Sequence, residues 1–259
     1  MEYEGAVLDL DGTVYRGEQL LPGAAAAIER LHEDDIRTVF FSNNPTKSRA
    51  EYAERLAGFG IDVRPERVLS AGTVTTQFLA DEHTDDNVFL VGSEGLHRQF
   101  EHAGLDVIED ATDADVLVVS YDREFSYDDM LAGYRALEAG ATFYGSDPDL
   151  VVPAEDGMIP GSGAVVNAVG GIVERAPERV LGKPSAEAQR AALDALDASP
   201  ERCFVVGDRL NTDIELGERA GMTTILVRTG VTTDADVERS EVQPDYVIDS
   251  LADLETVLL

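Results

Sequence analysis

Asp9 and Asp11 stand two residues apart, directly after the apolar run Ala6-Val7-Leu8. If that run is a strand, both carboxylates project to the same side. Two like charges held together need a cation or a shared proton to offset the cost. Gly12 follows, and glycine lets the backbone turn tightly and approach a ligand. Two exposed acids closing a strand would leave the same trace in so acidic a chain. A second acidic cluster, Gly207-Asp208-Arg209-Leu210-Asn211-Thr212-Asp213, follows the apolar run Cys203-Phe204-Val205-Val206. Asp208 is placed to complete a magnesium site, because Mg²⁺ takes oxygen ligands and only a few carboxylates. Asp213 falls in the first turn of the helix expected next, where an acid also complements the helix dipole.

Two further clusters offer groups for an anion. Ser42-Asn43-Asn44 follows Thr38-Val39-Phe40-Phe41. Its hydroxyl and amides suit phosphate oxygens, with nearby backbone N–H groups helping. Ser and Asn serve equally as turn and helix-cap residues. Lys183 lies in Leu181-Gly182-Lys183-Pro184, and Lys47 is the only other lysine among the 20 bases. A compact cation suits a phosphate or a neighbouring carboxylate; chance survival of one lysine is the plain alternative.

These side chains need strands and helices to bring them together. Ala6–Leu8, Arg37–Phe41, Cys203–Val206, Thr223–Val227 and Asp245–Ile248 read as strands. Pro22–Leu31, Lys47–Phe59 and Thr212–Ala220 read as helices between them. Such alternation predicts a doubly wound, Rossmann-like α/β fold with a parallel sheet. All four clusters then fall at the carboxyl ends of strands, where such sheets bind ligands. The middle repeats the pattern, with strands at Val88–Val91, Val116–Val119 and Thr142–Tyr144 and helices at Gly95–Ala103 and Tyr127–Ala139. Connectors at Ser70-Ala71-Gly72 and Gly157–Gly163 bracket it. The expected division is a core of residues 1–72 and 176–259 with an inserted α/β domain over 73–175.

Composition narrows the partners. Fifty-one acids against 20 bases give a formal charge of −31, spread along the whole chain. Such a protein repels itself in dilute buffer, and about 1 M salt, with a Debye length of roughly 3 Å, removes most of that repulsion. The expectation is a cytoplasmic protein of a halophile that keeps salt inside. Nucleic acid is excluded as a partner for want of a basic surface. No apolar run approaches the roughly 20 residues that span a bilayer, so no membrane partner is expected. The acidic start Met1-Glu2-Tyr3-Glu4 does not look like a secretory signal. Cys203 is the only cysteine, which leaves no intramolecular disulfide. His32, His83, His97 and His102 lie outside the clusters and show no zinc or triad spacing.

Taken together, Asp9-Leu10-Asp11-Gly12-Thr13-Val14, Ser42-Asn43-Asn44, Lys183 and Gly207–Asp213 resemble the four motifs of the haloacid dehalogenase superfamily of phosphotransferases. The insertion between the second and third motifs resembles that family's type-IIA cap, as in nitrophenylphosphatase-like and sugar-phosphate phosphatases. The resemblance implies a Mg²⁺-dependent phosphatase of small phosphorylated metabolites: sugar phosphates, nucleotides or aryl phosphates. It assigns Asp9 as nucleophile and Asp11 as general acid and base. It places Mg²⁺ on the carboxylates of Asp9 and Asp208 and the backbone carbonyl of Asp11, with Asp213 behind them. Phosphate and substrate would meet Asp11, Gly12, Ser42, Asn43, Lys183 and the Arg209-Leu210-Asn211-Thr212 loop. The cap would add specificity through Gly145–Asp149 or Gly157–Gly163, and caps of this kind suggest a homodimer. A dehydrogenase would need G-x-G-x-x-G where Asp-Leu-Asp-Gly-Thr stands. A dehalogenase would lack the second Asp. A phospho-accepting signalling domain without turnover is the remaining rival; such domains are about half this length and lack an insert.

Overall fold

The computed structural model describes residues 3–154 and 157–258; Met1, Glu2, Glu155, Asp156 and Leu259 lie outside it. The chain divides into two compact units. One comprises Met1–Ser42, Arg49–Leu69 and Ala188–Leu259; the other comprises Asn43–Ser48 and Ser70–Glu187. The expected insert, 73–175, lies wholly inside the second unit, which also takes in residues 43–48, 70–72 and 176–187.

Short runs rich in Val, Leu, Ile and Phe, mostly buried except in the edge strand Tyr246–Ile248, build the sheet of the first unit. Its six strands run in the order Tyr246–Ile248, Thr223–Val227, Cys203–Gly207, Gly5–Leu8, Arg37–Ser42, Val68–Ser70. The Gly5–Leu8 strand pairs in parallel with both neighbours, Leu8 lying level with Val206 on one side and Phe40 on the other. Counted along the chain this order is 6-5-4-1-2-3, the doubly wound arrangement with its reversal between the first and fourth strands. Leu8, Phe40, Val206 and Ile225 pack with Ile28 and Leu31 of helix Ala24–Glu33 and with Tyr52 and Leu56 of helix Arg49–Gly58. Each such large side chain contributes about 1.5–3 kcal/mol by leaving water.

The second unit holds a five-stranded parallel sheet in the order Arg179–Val180, Thr142–Gly145, Val116–Val119, Asn87–Val91, Asp106–Val107. Alternate residues of Val116–Val119 enter different clusters. Leu117 and Val119 join Phe143, Val165 and Val169; Val116 and Val118 join Leu79, Leu96 and Phe100. Both faces are therefore covered, as a parallel sheet requires. Val151–Ala154 and Gly157–Pro160 form a separate antiparallel pair.

Three segments differ from the sequence-based expectation. Ser70-Ala71-Gly72 is not a connector: helix Ala71–Glu82 starts there, capped reciprocally by Ser70 and Thr73. This is a Ser/Thr capping box with Thr in the place usually held by Glu or Gln, so the usual signature is missing. Gly157–Gly163 contains a strand and the start of helix Ser162–Ile172. The helix expected from Thr212 begins as a π-helical turn, Leu210–Ile214, and becomes α-helical only over Glu215–Ala220.

Candidate active site

Asp9 follows the central strand and extends its ladder by one bond, its N–H donating to the Val206 carbonyl at 2.9 Å. Asp208 ends the neighbouring strand, so the two carboxylates flank the point where the strand order reverses. The π-helical turn brings in a third. Asp9, Asp208 and Asp213 each place a carboxylate oxygen within 4.8 Å of the others, and they are only 7%, 2% and 1% exposed. Three carboxylates buried so closely are stable only with compensating positive charge. The donors are all oxygen, which suits a hard divalent cation such as Mg²⁺. Gly207 makes the approach of Asp213 feasible, since a Cβ there would lie 2.2 Å from the Asp213 carboxyl carbon.

Two loops lock Asp208. Its Oδ2 accepts the Val231 N–H at 2.8 Å, and its backbone carbonyl accepts the Thr232 N–H at 3.3 Å. On its other side Gly12, at φ +93°, would put a Cβ 2.6 Å from the same Oδ2. Glycine is needed at position 12 for both the left-handed backbone and the space. Thr229 ties the loops together, its hydroxyl donating to the Gly12 carbonyl at 2.6 Å. Asp213 is held similarly: its Oδ2 accepts the Arg209 N–H at 3.1 Å.

Asp11 is half-buried and pairs through its backbone with Tyr15. Two buried phenols feel its charge. Burial pushes the Tyr15 and Tyr52 hydroxyls well above the ordinary tyrosine range, and the Asp11 carboxylate adds to both shifts. Both therefore stay protonated at any working pH. Tyr52 donates to the Ser42 hydroxyl at 3.4 Å, while the Arg55 guanidinium covers the Tyr15 ring at 4.2 Å. Ser42 is buried at the carboxyl end of its strand.

In the second unit, Lys183 follows the edge strand Arg179–Val180 and is 1% exposed. Asn43 grips its backbone from both sides, accepting the Lys183 N–H at 2.8 Å and donating Nδ2–H to the Lys183 carbonyl at 3.2 Å. The Asn43 carboxamide is thus engaged with the Lys183 backbone. Gly182 lets these parts close, for a Cβ there would lie within 2.9 Å of the Ser146 carbonyl, Asn43 Oδ1 and Asp147 Cβ. Of the suggested specificity segment Gly145–Asp149, Ser146, Asp147 and Asp149 are buried. The Ser146 hydroxyl bridges Ser120 at 2.8 Å and Asp147 at 3.0 Å. Burial, followed by the nearby Asp149 charge, pushes the Asp147 carboxyl up to about 7.

The structure places Asp9, Asp11, Gly12, Ser42, Asp208 and Asp213 on one unit of the fold, whereas Asn43 and Lys183, expected from the sequence in the same core, belong to the other. In the expected substrate loop, Arg209 is half-buried, Asn211 exposed and Thr212 buried. Leu210 packs its side chain with Ile214 and Leu226, and its backbone carbonyl accepts the Glu215 N–H. Thr229, Gly230 and Val231 escaped notice because a Thr-Gly-Val turn carries no charged group. Their place after the strand Thr223–Val227, at the same sheet edge, was the available signal.

Two family profiles match this chain. That of the haloacid dehalogenase-like hydrolases matches residues 6–106, and a HAD-hydrolase-like profile matches residues 180–254. An acid sugar phosphatase of Staphylococcus haemolyticus is 34% identical over 244 residues, covering 94% of this chain and 92% of the relative. Among solved structures, the p-nitrophenyl phosphatase of Archaeoglobus fulgidus superposes with a TM-score of 0.93 at 36% identity, covering 99% of this chain and 100% of that one. The 4-nitrophenylphosphatase of Thermotoga maritima gives a TM-score of 0.91 at 32% identity, over 99% and 98% of the two chains. By descent and by fold, a Rossmann-like core with a separate cap domain, this chain belongs to the haloacid dehalogenase-like hydrolases and is an enzyme of their phosphomonoesterase kind.

Proposed function

We propose that this protein hydrolyses small phosphomonoesters, with sugar and aryl phosphates as the substrate class, using Mg²⁺ and an aspartyl-phosphate on Asp9. The observation that carries this reading is the buried trio Asp9, Asp208 and Asp213, whose carboxylate oxygens lie within 4.8 Å of one another at the strand reversal. The relatives named sugar and nitrophenyl phosphatases support the substrate class.

An oxygen of Asp9 attacks phosphorus, the new O–P bond forms, and the ester O–P bond breaks. Asp11, protonated for this step, gives its proton to the departing alcohol. In the second step a water oxygen attacks the same phosphorus while Asp11 takes one of its protons. The Asp9–phosphorus bond breaks, inorganic phosphate leaves, and Asp9 is a carboxylate again. Ser42, the Asn43 backbone and Lys183 hold phosphate oxygens. Asp9 and Asp208, with Asp213 or the Asp11 carbonyl, would hold a Mg²⁺, which would supply the positive charge that lets an anionic ester approach an anionic nucleophile. The setting is an anionic protein working in concentrated salt, where distant repulsion is screened and contact attraction is kept.

The test is phosphate release from a panel of sugar, nucleotide and aryl phosphates, with Mg²⁺ in high salt. Asp9→Asn should abolish release at unchanged fold, and excess EDTA should stop it reversibly. A near-native rate in Asp9→Asn removes Asp9 as nucleophile. A stable phosphoryl group on Asp9 without turnover would instead favour a signalling role.

A further inference from the structure

The trio of carboxylates is shaped by backbone N–H groups that bear no charge. Asp208 Oδ2 is taken up by the Val231 N–H at 2.8 Å, and Asp213 Oδ2 by the Arg209 N–H at 3.1 Å. A carboxylate that accepts such a bond has its plane fixed and one oxygen directed at the amide. Two ligand candidates of three thus share one arrangement. The Val231 amide is itself held in place. Thr232 N–H donates to the Asp208 carbonyl, Thr229 donates to the Gly12 carbonyl, and the Arg16 guanidinium donates to the Thr229 carbonyl. Packing leaves no slack, because a Cβ on Gly230 would lie 1.9 Å from Asp208 Oδ2 and 2.0 Å from its Cβ. The Val231 side chain is 38% exposed, so its backbone rather than its side chain serves the site.

We infer that the Thr229–Thr232 loop is a positioning and metal-selecting element: by engaging Oδ2 of Asp208 with the Val231 N–H, it favours one-oxygen ligation by Asp208. The consequence follows from ion chemistry. Mg²⁺ requires near-octahedral ligation from few carboxylates, whereas Ca²⁺ takes 6–8 oxygens and readily accepts a carboxylate through both. A loop that engages one lone pair of Asp208 Oδ2 makes two-oxygen ligation by Asp208 less favourable, which disfavours Ca²⁺ more than Mg²⁺. The Arg209 amide does the same for Asp213. This rests on the proposed divalent cation at Asp9 and Asp208 and adds how the chain chooses among cations.

The experiment is isothermal titration of the full-length protein with Mg²⁺ and separately with Ca²⁺, in the absence of substrate. Val231→Pro removes the N–H. Val231→Ala keeps it and should retain the wild-type ratio of the two affinities. Gly230→Ala keeps the N–H but presses a Cβ against Asp208 Oδ2, its acceptor, and serves if the proline variant does not fold. Losing an outer-shell hydrogen bond typically costs about 10–100-fold in metal affinity. We expect that loss for Mg²⁺ in Val231→Pro and Gly230→Ala, with Ca²⁺ affinity falling less, so the Mg²⁺/Ca²⁺ ratio drops at least several-fold. An unchanged ratio in a folded variant whose parent binds Mg²⁺ overturns the inference and leaves the proposed function standing. A parent that binds neither ion would overturn the metal reading itself.

Discussion

Asp147 is a carboxyl group that the second unit buries beside another acid. It is 2% exposed, accepts a hydrogen bond from Ser146 at 3.0 Å and another from the Asp149 N–H at 3.2 Å, and has Ser162 as a further partner. Those bonds favour the charged form, but burial and the Asp149 charge outweigh them and push the carboxyl from 3.8 to about 7. In the unfolded chain the group returns to the ordinary range near pH 4. The folded state therefore binds the extra proton between about pH 4 and pH 7, and stability falls across that window as pH rises. The full contribution is present below pH 4 and gone above pH 7. At about 1.4 kcal/mol per pH unit, the window between pH 5 and pH 7 accounts for up to about 3 kcal/mol. Asp147→Asn keeps the shape and cannot ionise. Its stability relative to the parent should rise by up to about 3 kcal/mol from pH 5 to pH 7 and stay level to pH 8. Comparing the two proteins in the same salt cancels the repulsion common to both, leaving the term due to this group. Denaturant unfolding at pH 5, 6, 7 and 8 reads it directly. Parallel pH profiles for parent and variant would refute the assignment of a raised Asp147.

Gly12→Ala must meet both a left-handed backbone at φ +93° and a contact of 2.6 Å with Asp208 Oδ2. It should cost about 1–3 kcal/mol in unfolding free energy and reduce phosphate release by more than tenfold; a near-native rate would show that the loops are not locked. Asn43→Ala strips both hydrogen bonds from the Lys183 backbone and leaves buried polar groups unpaired, at about 1–3 kcal/mol. Its KM for phosphate esters should rise, and Asn43→Asp, which retains an acceptor for the Lys183 N–H, should recover part of the loss. With a formal charge of −31, phosphatase activity should hold or rise as KCl goes from about 0.1 to 2 M, because screening weakens distant repulsion first. Steady inactivation over that range would count against adaptation to salt.

The acids were legible because each stands where an apolar run stops. Ala6-Val7-Leu8 before Asp9 and Cys203–Val206 before Asp208 signal a strand and its end, and glycine marks the turn beside each. Local pattern and composition thus determined the α/β class, the paired acids at the strand end and the anionic setting, while the nucleophile role of Asp9 came from the resemblance of the four motifs together. Strand order was not legible, since pairing between residues some 200 positions apart depends on which buried faces fit. Only the tertiary structure put Gly5–Leu8 between Cys203–Gly207 and Arg37–Ser42 and so brought the strand-end acids together. It also decided matters that side-chain type does not encode. Asp213 reached the other acids through a π-helical turn where a regular helix was expected. Asn43 became the grip on Lys183, across 140 residues of sequence. The Val231 amide, indistinguishable in sequence from any other backbone N–H, acquired its role because folding aimed it at Asp208.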